Sequence, residues 1–245
     1  NQSGPYSNPV SIANEAINQN FSYRGIGNVY ADLKLAKGLT FSTKLGIDFL
    51  NFREHAYESI KTIQGGKYNG LGFETYTNVA NLVSNNTLKY QFDLADNRFE
   101  ILGGYSFEKR NTRSSFIRAQ DYADPSLQYI NSASTIVSAS SGASDSGIRS
   151  WFGRVNYNLK DKYIVSLTGR LDGSSRFSEK NRNGFFPAAS AAWRIGAEDF
   201  FPRGVISELK LRASYGLTGN DDIPAFLYAE LYGNTTYGGK PAVYP

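Results

Sequence analysis

Between Trp151 and Asp172 apolar and polar residues alternate. Trp151, Gly153, Val155, Tyr157 and Leu159 interleave with Phe152, Arg154, Asn156, Asn158 and Lys160. A period of two predicts a strand with one apolar face. After a polar turn at Lys160, Asp161 and Lys162, Tyr163, Val165, Leu167, Gly169 and Leu171 alternate with Ile164, Ser166, Thr168, Arg170 and Asp172, which completes a hairpin. The same unit recurs three times. Val29, Leu33 and Leu35 precede a Lys37-Gly38 turn and Leu39, Phe41, Leu45, Ile47 and Phe49, with Lys34, Thr40, Ser42, Lys44 and Asp48 among their neighbours. Leu88, Tyr90, Phe92 and Leu94 precede a turn at 95–97 and Phe99, Ile101, Tyr105 and Phe107, with Lys89, Gln91, Asp93, Glu100 and Glu108 opposed to them. Ala189, Ala191, Trp193 and Ile195 precede Leu209, Leu211, Ala213 and Tyr215. The connection in this last unit contains Glu198, Asp199, Phe200 and Phe201 before Pro202, and a short helical turn ended by the proline is expected there.

Links between hairpins are long and polar, at 54–75, 120–147 and 173–184, whereas links within hairpins are short. Outer-membrane barrels sort their connections in this way, with short periplasmic turns and long extracellular loops. The expected fold is therefore all-β: an antiparallel transmembrane β-barrel segment of about eight strands arranged as four hairpins. Strands of about ten residues suffice to cross a bilayer when tilted. The expected lipid-facing set is Val155, Tyr157, Tyr163, Val165, Leu167, Trp193, Leu209 and Leu211, almost free of charge. Trp151, Tyr157, Tyr163, Trp193 and Tyr215 stand near strand ends, where amphipathic rings form interfacial girdles. Arg154, Asn156, Thr168, Arg170, Asp172, Arg194 and Arg212 fall on the opposite parity and are expected to face a lumen.

Composition narrows the picture. Among 245 residues there are 17 Tyr, 16 Phe and 24 Gly, which favours strands and turns, and neither Cys nor Met. Without a starting Met or a signal-peptide pattern the chain reads as an internal piece of a longer protein. The absence of Cys excludes disulfides, thiolate metal sites and cysteine nucleophiles. A net charge of +4, scattered along the chain, makes no nucleic-acid footprint. No run of eighteen apolar residues offers a transmembrane helix, which leaves a barrel open.

Chemistry is sparse. The one histidine, His55, lacks partners for a triad or a zinc site and reads as a solvated side chain at a loop edge. Asp221-Asp222 lacks the order of a calcium loop, and GGKYNGLG from Gly65 lacks the GK[ST] of a phosphate loop. No catalytic residue, metal site or cofactor is expected. A soluble glycosidase would need a carboxylate pair in a cleft, and the strand pattern offers none. In DGSSRF from Asp172, the residues Asp172, Ser174 and Arg176 have two readings: contact with solute at the barrel mouth, or an ion pair that pins the strand end. The structural reading is the stronger.

Four blocks, FGRVNYNLKDKYIV from Phe152, DGSSRF from Asp172, GFFPAASAAWRI from Gly184 and LKLRASYGLTGN from Leu209, together resemble the SusC/RagA family of TonB-dependent transporters. The match is densest over 148–222, and residues 1–147 match only in style. The resemblance implies a large plugged barrel in the cell outer membrane, for which 22 strands are typical, and a non-enzymatic role. It also implies a TonB complex, a SusD-like surface lipoprotein, surrounding outer-membrane lipid and a glycan (oligosaccharide) or peptide substrate. Residues 1–20 are then a loop or linker, 21–220 barrel wall and 221–245 the start of an extracellular loop. Neither a plug domain nor a TonB-box-like segment is found, and no final barrel strand ends in an aromatic residue. The alternative is a non-transporting surface receptor or adhesive barrel.

Overall fold

A computed structural model describes residues 9–202, 204, 206, 208–224, 233–237 and 239–244. Eight strands form one sheet in the order β1 to β8: Ala16–Ala36, Leu39–Glu58, Leu71–Leu94, Asn97–Tyr122, Ala133–Leu159, Tyr163–Ser174, Asn183–Arg194 and Lys210–Gly216. Each strand pairs with its neighbour in sequence, so the sheet is an up-and-down meander. A short helix α1, Pro9–Glu15, precedes it. Beyond β8, a separate hairpin pairs β9, Gly233–Tyr237, with β10, Lys240–Tyr244.

The predicted hairpins are all present, and the three tight ones turn through left-handed backbone, which Gly38 and Asp161 take more readily than Ala95 and Lys160. Gly38 adopts φ 76°, Ala95 φ 51°, and Lys160 and Asp161 φ 53° each. Left-handed values suit tight turns that follow the twist of the strands. Backbone bonds tie these turns to the next strand or turn: Gln91 N–H to Gly38 C=O at 2.8 Å, Lys160 N–H to Asp96 C=O at 2.9 Å, and Arg194 N–H to Lys162 C=O at 2.8 Å.

Strand length departs from the expectation of about ten residues. β1 to β5 run for 20 to 27 residues. The polar links shrink accordingly to 59–70, 123–132 and 175–182. The segment Ala133–Gly147, rich in Ser and Ala, reads as a loop by composition yet continues β5. Hydrogen bonding to a neighbouring strand satisfies its backbone, whatever its side chains.

The expected helical turn before Pro202 also moves. A 3-10 turn forms earlier, at Ile195–Ala197, while Glu198 to Phe201 closes only one hydrogen-bonded turn at 3.1 Å. The Glu198 carboxylate is the physical reason: it accepts from Tyr163 Oη at 2.7 Å, Lys162 Nζ at 2.9 Å and Trp193 Nε1 at 3.0 Å, which ties this residue to the sheet.

Contacts divide the chain into two compact units. The first comprises Asn1–Gly27, Ile47–Asn81 and Arg110–Asp145. It contains most of the buried side chains among the described residues, with Tyr57, Leu71, Ala119 and Tyr122 packed beside His55, Ser59 and Thr62. His55 is thus buried, 6% exposed, and not solvated as the sequence suggested. Its ring stacks on Tyr129 at 5.2 Å, with Nδ1 3.4 Å from Glu74 Oε1. Nearby, the Thr62 hydroxyl accepts from Gly65 N–H at 2.9 Å and caps the one-turn helix α2, Ile63–Gly66.

The second unit comprises Asn28–Gly46, Leu82–Lys109 and Ser146–Pro245. It is a sheet with an apolar face that no described element covers.

Candidate substrate-facing wall

Register fixes which side chains share a face in β5 to β8. Trp151 pairs with Leu171 and Leu171 with Phe185, Gly153 with Gly169 and Gly169 with Pro187, and Val155 with Leu167 and Leu167 with Ala189. Tyr157 pairs with Val165 and Val165 with Ala191, while Tyr163 pairs with Trp193 and Trp193 with Leu211. Paired residues point the same way. One face is therefore apolar across four strands, and all of the expected lipid-facing set except Leu209 lies within this ladder. Leu209 precedes β8, and its carbonyl accepts from Gly196 N–H at 2.9 Å.

Two aromatic rows bound this face. Nearer the short turns, Tyr90, Phe92 and Phe99 stack in series and Tyr157 tilts against Phe99, at 5.0–5.2 Å between centroids, and Tyr163 lies near-parallel to Trp193 at 6.3 Å. Farther along the strands, Tyr105 meets Trp151 at 4.6 Å, in the row of Leu171 and Phe185. Six to eight residues separate the rows, roughly 20–26 Å along a strand. That is close to the apolar band of an outer-membrane barrel, about 25 Å tall. Leu167, Trp151 and Phe185 are 54%, 61% and 62% exposed, and a continuous exposed apolar face of this size marks a membrane or partner surface.

The opposite face carries the polar candidates in three groups. Arg154 Nε donates to Thr168 Oγ1 at 3.3 Å, and Asn156 Nδ2 donates to Glu100 Oε1 at 2.9 Å. At the short-turn end Arg212 pairs with Ala192, and Arg194 Nη1 donates to the Asp161 carbonyl at 3.3 Å. The third group surrounds DGSSRF. Arg170 Nε donates to both oxygens of Asp172 at 2.6 and 2.9 Å, and its Nη2 reaches Ser150 Oγ, fully buried, at 2.8 Å. Ser174 Oγ donates to Asp221 Oδ2 at 3.0 Å. Arg176 Nη1 reaches Asp222 Oδ1 at 3.1 Å and the carbonyls of Asp221 and Ile223 at 3.2 and 3.1 Å.

These candidates do not converge on one constellation. Asp172 and Ile164, which pairs with Ala192 in the Arg212 row, are eight residues apart on β6, roughly 26 Å. Within DGSSRF the ion pairs also differ from the simplest expectation: Asp172 takes Arg170, and Arg176 reaches forward to Asp222. Asp221-Asp222, which lacks the order of a calcium loop, accepts instead from Ser174 and Arg176, partners so remote in sequence that they leave no local signal. Ser150 was missed for the same reason.

Around this latch Asp172, Ser174, Asp221, Arg182, Asn183 and Phe186 contribute to a cavity of about 220 Å³. Phe186 packs against Gly184 and Gly219, where a β-carbon would collide with the ring. Arg182 Nε is buried without a hydrogen-bond partner. Among the described residues no cluster of metal-ligating side chains occurs.

The family model for "TonB dependent receptor-like, beta-barrel" matches residues 1–244. TonB-dependent receptor P26 of Formosa agariphila is 35% identical over 247 residues, covering 96% of this chain and 25% of the relative. TonB-dependent receptor SusC of Bacteroides thetaiotaomicron is 32% identical over 211 residues, covering 84% of this chain and 21% of the relative. The chain thus spans about a quarter of the length of these curated relatives. Among solved structures, the RagAB peptide transporter superposes with a TM-score of 0.87 at 20% identity, over 95% of this chain and 26% of that one. The continuous apolar face, the sorted turns and the family match over almost the whole length place this chain in the TonB dependent receptor-like β-barrel family, as a SusC/RagA-type barrel segment.

Proposed function

We propose that the chain is a wall segment of an outer-membrane, TonB-dependent importer of oligosaccharides or peptides. The observation that carries this reading is the register of β5 to β8, which sorts an uncharged apolar face from a polar one over a height that matches a bilayer. Leu167 and its neighbours meet lipid, while Arg154, Asn156, Thr168, Arg170 and Asp172 line the interior. Residues 21–220 are barrel wall, and 221–245 begin a loop on the outer side. Nothing in the wall performs chemistry on the solute: the cargo is bound and released, and energy comes from a TonB complex. A SusD-like lipoprotein at the mouth completes the importer.

The sequence similarity to SusC and the superposition on RagAB support this reading. The test is uptake by cells that carry the whole protein, with and without a functional TonB. Loss of uptake in the TonB-deficient strain is expected. Equal uptake in both strains would mean a TonB-independent pore, and no uptake of any oligosaccharide or peptide would leave a non-transporting surface receptor or adhesive barrel as the better reading.

A further inference from the structure

We propose that the cavity beside the DGSSRF latch is a subsite for one sugar ring of an uncharged oligosaccharide, a statement that rests on the importer reading and narrows its substrate. The lining combines two kinds of surface. Phe177 and Phe186 supply apolar area, and Asn181, Asn183 and Asn220 supply amides that donate and accept at once, beside the Asp172 and Asp221 carboxylates. The volume of about 220 Å³ holds a ring-sized group rather than a folded peptide segment.

Charge decides against an ionic ligand. Of the charged groups, Asp172, Asp221 and Arg182 line the cavity; Arg170 pairs with Asp172 and Arg176 with Asp222 beside it, so three negative and three positive groups balance. Arg170 and Arg176 are engaged by Asp172 and Asp222, so neither offers a free fork to a peptide carboxylate. Asp221 accepts the Ser174 hydroxyl on Oδ2 and keeps acceptor capacity on its second oxygen. Arg182 Nε is a buried donor that lacks an acceptor. A ring bearing several hydroxyls satisfies both needs, because each hydroxyl donates and accepts, and its C–H face can lie on a phenylalanine. The polar parity of Asp172 and Ser174 places this cavity on the face read as lumenal, where solute passes.

The test uses the full-length transporter, purified in detergent together with its partner lipoprotein. Probes are neutral oligosaccharides of glucose, mannose, xylose and galactose, set against charged and zwitterionic peptides of similar mass. At least one neutral oligosaccharide is expected to bind, and Asn183→Ala and Asn220→Ala are each expected to weaken that binding about three- to tenfold, the effect of one lost neutral hydrogen bond. Both residues are exposed, and unchanged heat-modifiable migration on a gel shows that each variant folds. TonB-dependent uptake of peptides alone, or oligosaccharide binding unmoved by both substitutions, overturns the subsite and leaves the importer reading intact. Uptake that is indifferent to TonB defeats the importer reading and the subsite with it.

Discussion

Leu167 and Thr168 are adjacent on β6, yet register assigns them to opposite faces, so an arginine at each position measures the two environments directly. Leu167 lies four residues from Tyr163 and four from Leu171, about 13 Å along the strand from either aromatic row, and therefore near the middle of the apolar band. An arginine at the midplane of a lipid-facing wall costs about 2–4 kcal/mol. That is roughly a 30- to 900-fold change in the folded-to-unfolded ratio. Thr168 accepts one long bond, 3.3 Å, from Arg154. Thr168→Arg loses that bond and adds a like charge in a hydrated setting, for less than about 1 kcal/mol. Guanidinium unfolding of the full-length protein from phospholipid vesicles, followed by tryptophan fluorescence, reads both variants. Leu167→Arg should lower the midpoint markedly and Thr168→Arg barely. Equal costs, or a larger cost for Thr168→Arg, would refute the assignment of faces.

Other expectations follow from single contacts. At Gly38 a β-carbon would collide with the Gln91 carbonyl oxygen on a left-handed backbone, so Gly38→Val should cost more than about 1–2 kcal/mol, visible as reduced folding yield into vesicles. Arg170→Met leaves Asp172 and buried Ser150 without their donor and should destabilise by about 1–3 kcal/mol; a double-mutant cycle with Asp172→Asn should show coupling, and strict additivity would mean that the latch carries no energy. Hydrogen bonds from Tyr163, Lys162 and Trp193 hold the Glu198 carboxyl at about 2, below its ordinary 4.5. Because the folded value is depressed, the stabilisation is complete above about 4.5 and is lost as pH falls toward about 2. In the folded protein Trp193 fluorescence should titrate at about 2, at the foot of that window, and Glu198→Gln should remove the titration.

Legibility in the sequence tracked how local the determining physics was. The hairpins, their turns and the two faces of β5 to β8 were readable because a period of two and a few turn residues act over neighbouring positions. Strand ends were not readable. Ala133–Gly147 has the composition of a loop, and only pairing with an adjacent strand makes it part of β5. His55 was misread for a related reason: its burial comes from Tyr129 and Glu74, which are remote in sequence. The 3-10 turn moved upstream because Lys162 and Tyr163, more than 30 residues earlier, capture Glu198. At the candidate wall, parity alone assigned the faces, but the partners of Ser174 and Arg176 lay 46 to 47 residues downstream and left no pattern to find.

The central claim is topological: the short turns lie on the periplasmic side and the longer links outside. These 245 residues contain no cysteine; in the whole protein, with any cysteine elsewhere replaced by serine, single cysteines are introduced at Ala95 and Asp161 in the turns and at Asn69 and Ser126 in the links, and intact cells are treated with a membrane-impermeant maleimide. Labelling at Asn69→Cys and Ser126→Cys, with Ala95→Cys and Asp161→Cys reacting only after the outer membrane is permeabilised, is the expected result. Labelling of the turns on intact cells while the links stay protected would contradict the account.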